Sequence, residues 1–147
     1  MDEQSSIPQT GDTPPAVQRT VRTMSLAIIG ATVFFAVALC VTVGVGSANV
    51  LYVVLSVLLV IAGFFVAISF GYRAVASISE GPTAYLTGFM RRLLITDVPV
   101  LLNVAIGFIA DSAIPYLVAL PFSIASMWVH LVQSDSAQRR WGVSRKG

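Results

Sequence analysis

Charge is scarce in this 147-residue chain: Asp, Glu, Lys and Arg together make up 11% of it, against roughly 25% in ordinary soluble domains. There is one cysteine, Cys40, and one histidine, His130. A lone cysteine excludes an intrachain disulfide, and one His with one Cys cannot assemble an ordinary metal site. Cys40 falls within an apolar run and reads as a small buried side chain. The sequence has no HExxH, CxxC, GxxxxGK[ST] or GxSxG. With them go the usual signatures of zinc hydrolysis, dithiol redox chemistry, nucleotide binding and serine hydrolysis. No catalytic activity, metal or cofactor is expected.

What is abundant is apolar sequence, at 56% of residues. A short soluble domain buries only about two-thirds of its unfolded surface and could not hide so much. The solvent for most of this chain must be lipid. Four runs carry the excess, at about 24–45, 50–70, 93–110 and 113–132. Each approaches the roughly 20 helical residues that cross a bilayer core about 30 Å thick. Isolated strands would leave backbone groups unpaired in hydrocarbon, and the runs lack the alternation of barrel strands. The predicted fold is an all-α integral membrane protein with four transmembrane helices in two hairpins. The predicted organisation is a disordered tail at 1–22, a transmembrane domain at 23–133 and a basic tail at 134–147.

The charges that do occur are unevenly placed. Arg19 and Arg22 precede the first run. Arg73, Arg91 and Arg92 lie between the second and third, and Arg139, Arg140, Arg145 and Lys146 follow the fourth. The connections 46–49 and 111–112 have no basic residue. By the positive-inside rule both termini are cytoplasmic, in a cell (inner or plasma) membrane. The net charge is only +2, so the basic residues are read as orientation signals, not as a nucleic-acid surface. Arg73, Arg91, Arg92, Arg139 and Arg140 are the expected contacts to lipid headgroups. Tyr52 and Tyr116 at one boundary, and Tyr72, Trp128 and Trp141 at the other, suit aromatic belts.

Before the third run, Gly81–Pro82 marks a break. Tyr85, Leu86, Phe89, Met90, Leu93 and Leu94 then form an apolar stripe, with Thr87, Gly88, Arg91 and Arg92 opposite. This predicts a cytoplasmic interfacial helix leading into the third span. The alternative is one long helix that begins at Pro82. In the second run Gly63, Ala67 and Gly71 form a small-residue row, and the first run has Ala27, Gly30 and Ala31. The row predicts close helix packing, first of all against span one, which a short turn holds alongside, and alternatively against a second subunit.

The third run also holds Asp97, Pro99 and Asn103. Asp97 follows Arg92 by five residues, which places it just below the headgroups instead of at the midplane. Pro99 predicts a kink, and Asn103 requires a partner on another helix. His130, in the fourth run, has a similar expected depth to Asp97. An Asp97–His130 contact, and with Asn103 a possible proton relay, is one reading. In the other, these are interfacial or locally capped groups. The expected function is that of an accessory or assembly subunit of a larger bacterial membrane complex. The alternative is a small homo-oligomeric transporter or channel using Asp97, Asn103 and His130. The expected partners are the lipid bilayer and other membrane subunits or further copies of the chain, with no nucleic acid.

Overall fold

Proline and asparagine set where the helices begin. α1 (Pro15–Thr42) and α3 (Pro82–Ile109) open on proline, and α4 (Ile114–Met127) carries Pro115 in its first turn. Proline suits these positions because its missing N–H would be unsatisfied there anyway. α2 (Val50–Val66) is capped by Asn49, whose side chain accepts from the Leu51 amide at 2.9 Å. α2 continues into a π-helical turn at Ala67–Gly71 and α4 into another at Trp128–Val132. A short α5 (Ser134–Gly142) closes the chain. This is a computed structural model, and it describes residues 15–72 and 82–142.

The protein is all-α, with no strand among the described residues. Four helices are long and apolar enough to cross a membrane: Ala16–Thr42, Val50–Gly71, Tyr85–Ile109 and Ile114–Val132. By length and composition it is a multi-pass membrane protein. Residues such as Phe34, Val41, Leu58, Phe65, Leu94 and Phe108 are exposed. That is expected where the outer solvent is lipid, which is as apolar as the core.

The spans differ from the sequence expectation in a consistent way. The first and third begin at 16 and 85, eight residues before the predicted 24 and 93. Hydropathy falls at Arg19, Arg22, Arg91 and Arg92, but arginine is a good helix former, so the backbone continues through it. Residues 15–22, expected in a tail, are therefore helical, as are residues 134–142 of the expected C-terminal tail. Among the described residues no separate interfacial helix precedes the third span: α3 runs unbroken from Pro82 to Ile109, the alternative that the sequence offered.

The helices alternate in direction. At one end Gln18 bonds to Asp135, Tyr72 to His130 and Tyr85 to Ser134. At the other, the Ala113 amide donates to the Gly44 carbonyl at 2.9 Å, and the Ser112 hydroxyl to the Gly46 carbonyl at 2.8 Å. Gly44 (φ 76°) and Asp111 (φ 48°) take the left-handed conformation that these tight connections need. All six described arginines lie in the half of the bundle toward the first end.

Helices joined by a short connection need not be neighbours. α1 packs on α3 and α4, and α2 packs on the same two helices, so α1 and α2 stand diagonally. The seven residues 43–49 can reach roughly 23 Å when extended. The diagonal of a bundle with axes 8–10 Å apart is about 13 Å. The Gly63–Ala67–Gly71 row is a packing face as expected, but α3 covers it, not α1. Pro99 lies against Gly63, and the Arg92 stem against Gly71. Leu39, Phe89, Val100, Met127 and Leu131 fill the core.

Hydroxyls in the spans are mostly satisfied within their own helices. Ser25, Thr32, Thr96 and Ser123 each donate to the carbonyl four residues earlier. Such bonds let polar residues sit in hydrocarbon without a further partner. Across helices, the Tyr116 hydroxyl donates to the Thr32 carbonyl at 2.8 Å, joining α4 to α1.

Candidate functional site

The two π-helical turns converge with α3 and α5 at the arginine-bearing end of the bundle. The turn after α2 leads into Tyr72, and the turn after α4 contains His130. The Tyr72 hydroxyl and His130 Nδ1 are 3.0 Å apart. Phe64 and Trp141 flank this pair, with ring centroids 4.7 and 5.6 Å from the imidazole. Trp141 also meets Tyr72 edge-on at 5.4 Å. His130 is thus an inward-facing member of an aromatic cluster, not an exposed interfacial residue.

Arg92 enters the same cluster from α3. Its exposure is 0%, so it is not among the headgroup contacts that the sequence suggested. The guanidinium carbon lies 4.9 Å from the Tyr72 ring centroid, within cation–π range. None of its three nitrogens has a hydrogen-bond partner among the described residues. Tyr85 and Asp135 lie within electrostatic range. Asp135 is itself engaged, accepting from the Tyr85 hydroxyl at 2.5 Å and from Gln18 Nε2 at 2.7 Å. An enclosed cation without an ion pair is expensive, and here a ring face and a more distant carboxylate offset part of that cost.

The other expected headgroup residues divide. Arg91, Arg139 and Arg140 are exposed. Arg73 lies outside the described residues.

Asp97 and His130 are not brought together: the imidazole faces Tyr72. The reason is register. Counting equally from the Ala110–Ala113 turn, His130 stands level with residue 93 and Asp97 with residue 126. The two are about one helical turn apart in depth. Asp97 is the central residue of the apolar helix Tyr85–Ile109, twelve residues from both ends, or about 18 Å along the axis in each direction. It is partly exposed and makes no hydrogen bond or ion pair among the described residues. Tyr116 is within its electrostatic range.

Asn103 is buried and donates from Nδ2 to the Ser56 carbonyl of α2 at 3.2 Å. This is the interhelical partner that the sequence required, and it locks α3 to α2. Asp97, Asn103 and His130 thus occupy three separate settings instead of one relay. Among the described residues no group of three His, Cys, Asp or Glu side chains is placed to hold a metal ion.

Sequence reasoning missed the Tyr72–His130–Trp141 cluster and the burial of Arg92. The aromatics were visible, but a belt at the interface and a cluster inside the bundle share the same sequence positions. Comparison with protein-family models, curated proteins and solved structures finds no match.

Proposed function

We propose that this chain is a small membrane subunit that acts by binding other transmembrane helices, as an accessory or assembly component of a larger complex in a bacterial cell membrane. Asp97 carries the reading. A partly exposed carboxylate midway along an apolar helix would cost up to about 2.5–3.5 kcal/mol at the bilayer centre on insertion scales. Ionisable groups at that depth ordinarily face a partner or an aqueous path. Its own bundle gives Asp97 no hydrogen bond or ion pair among the described residues. A neighbouring span carrying a cationic or hydrogen-bond-donating side chain near its midplane would satisfy it.

The outer face of α1 supports the same reading. Ala27, Gly30 and Ala31 are exposed, and the position a Gly30 Cβ would occupy has nothing within 4 Å. Small residues facing outward let another helix approach closely. With both termini cytoplasmic, following the arginine distribution, the opposite side offers only two short connections as a binding surface.

The alternative is a homo-oligomeric transporter or channel in which Asp97 carries a proton or cation between copies. It rests on the same carboxylate without Asn103 and His130, which are engaged elsewhere. Purification in mild detergent from the native membrane tests both readings. Stoichiometric partner subunits, lost on Asp97→Leu and partly retained on Asp97→Asn, are the expected result. A lone homo-oligomer whose reconstituted flux disappears with Asp97→Asn would replace the assembly reading with the transport one.

A further inference from the structure

The first turns of α1 and the end of the chain form a second charged feature, separate from Asp97 and the aromatic cluster. Arg19 and Arg22 of α1 face Arg139 and Arg140 of α5 across a groove of about 810 Å³. That volume lies within the range of small-molecule sites, roughly 300–1,000 Å³. All four arginines are exposed, and none makes an ion pair or hydrogen bond among the described residues. The one carboxylate in the groove, Asp135, is occupied by Tyr85 and Gln18. The same Gln18–Asp135 bond ties α1 to α5, so the two basic walls are held opposite each other.

The position of the groove identifies the kind of anion. It lies where the first span begins, at Ala16, and where the fourth ends, at Val132. Trp128 and Val132 line it, and Trp128 is 43% exposed. Indole rings favour the headgroup level, with one edge apolar and the other wet. A free inorganic anion has no use for an apolar wall. A glycerophospholipid does, because its phosphate is continuous with acyl chains. Arginine forks also match phosphate oxygens two at a time, and basic pockets between transmembrane helices are suited to anionic headgroups.

We infer that this groove is a binding site for the phosphate headgroup of an anionic phospholipid. Arg19 and Arg22 grip it from α1, Arg139 and Arg140 grip it from α5, and Trp128 lies along the glycerol and upper acyl region. The site is independent of the assembly reading, since it uses neither Asp97 nor the small residues Ala27, Gly30 and Ala31.

The test titrates short-chain dihexanoyl phosphatidylglycerol into the full-length protein in an uncharged detergent, where no membrane surface potential contributes. Dihexanoyl phosphatidylcholine and inorganic phosphate are the comparison ligands. Saturable binding of the glycerol lipid, at least about tenfold tighter than either comparison, is expected. At the upper end for an exposed charge pair, each removed arginine weakens binding about fivefold. R19Q/R22Q and R139Q/R140Q should each lose roughly 25-fold, while R91Q, an exposed arginine outside the groove, stays within twofold.

Equal affinity for the two lipids would overturn the inference, as would phosphatidylglycerol binding that survives in both double variants. Inorganic phosphate binding as tightly as the lipid would make this a free-anion site and overturn the lipid assignment. Should a double variant fail to purify, the three ligands compared on the unmodified protein decide the question alone. Failure here would leave any co-purifying subunits untouched, so the two proposals fail separately.

Discussion

The tight contact of α2 with α3 at Gly63 supports the sharpest prediction. A Cβ added at Gly63 would stand 2.4 Å from Pro99 Cγ, 3.4 Å from its Cβ and 3.6 Å from its Cδ. Carbon atoms rest at about 3.5–4.0 Å, so Gly63→Ala demands a shift of about 1 Å or more. A flexible side chain could swing away, but a pyrrolidine ring fused to the backbone cannot. α2 and α3 must therefore separate, at a cost toward the top of the 1–3 kcal/mol range for overpacking. The better helix propensity of alanine returns about 1 kcal/mol, which leaves about 1–2 kcal/mol of net destabilisation. Gly30→Ala is the matched control. Its added methyl meets nothing within 4 Å, so only the propensity term acts, and stability should be unchanged or slightly higher. The assay is reversible denaturation of purified protein in mild detergent, with Pro99→Ala completing a double-mutant cycle. Without the ring, Gly63→Ala should cost at least about 1 kcal/mol less. Equal behaviour of Gly63→Ala and Gly30→Ala, or an undiminished cost beside Pro99→Ala, would refute the packing argument.

Three further outcomes follow from the same contacts. Tyr72→Phe removes the hydroxyl from His130 and should cost about 0.5–1.5 kcal/mol; with His130→Ala the two losses should be non-additive in denaturation, and simple additivity would mean that the contact does not form. Arg92→Met replaces an enclosed cation, unpaired among the described residues, with an apolar side chain of similar length, and should leave the isolated protein as stable or more stable, by up to about 4 kcal/mol. A fall in stability would show that the guanidinium has a partner beyond the Tyr72 ring. Asn103→Leu should change stability by less than about 1 kcal/mol, since interhelical hydrogen bonds in membranes average about 0.6 kcal/mol and Asn103 Oδ1 has no partner to lose among the described residues; a cost above 2 kcal/mol would contradict this.

The four spans were legible because each holds enough apolar residues to cross a bilayer, and neither charge nor periodicity was needed to find them. Periodicity became misleading when it was used to orient a helix. The stripe from Tyr85 to Leu94 suggested an interfacial helix with its apolar side down. In the structure Tyr85 and Phe89 are buried, Met90 and Leu94 are exposed, and Arg92 on the supposed polar face is enclosed. In water an apolar residue has one favourable direction. In lipid it has two, so the inward face is marked instead by small and hydrogen-bonding residues. On α3 those are Gly88, Thr96, Asn103 and Gly107, all buried. The partner of α2 was misjudged for a different reason. Chain adjacency is a good guide to neighbours, but seven connecting residues are long enough to cross a diagonal. Rigid proline stacked on glycine, the contact that selects α3, has no signature within either segment alone.

The polar cluster depends on a feature that hydropathy does not register at all. A π-helical turn holds one more residue than the α-helical turn it replaces. At about 100° per residue in an α-helix, that extra residue redirects every side chain after it. α2 and α4 both make this change at the same end of the bundle, at Ala67–Gly71 and Trp128–Val132. In the second turn the Gln133 amide reaches back five residues, to the Trp128 carbonyl at 2.9 Å. Tyr72 follows the first turn and His130 lies within the second, so their meeting at 3.0 Å is set by two coincident irregularities. Regular α-helices would rotate Tyr72 away from the imidazole and from the Arg92 side chain beneath it. The apolar spans therefore specify that a bundle forms. The distortions at their ends specify which polar groups it encloses, and that is why the spans could be read from composition while the Arg92–Tyr72–His130 cluster could not.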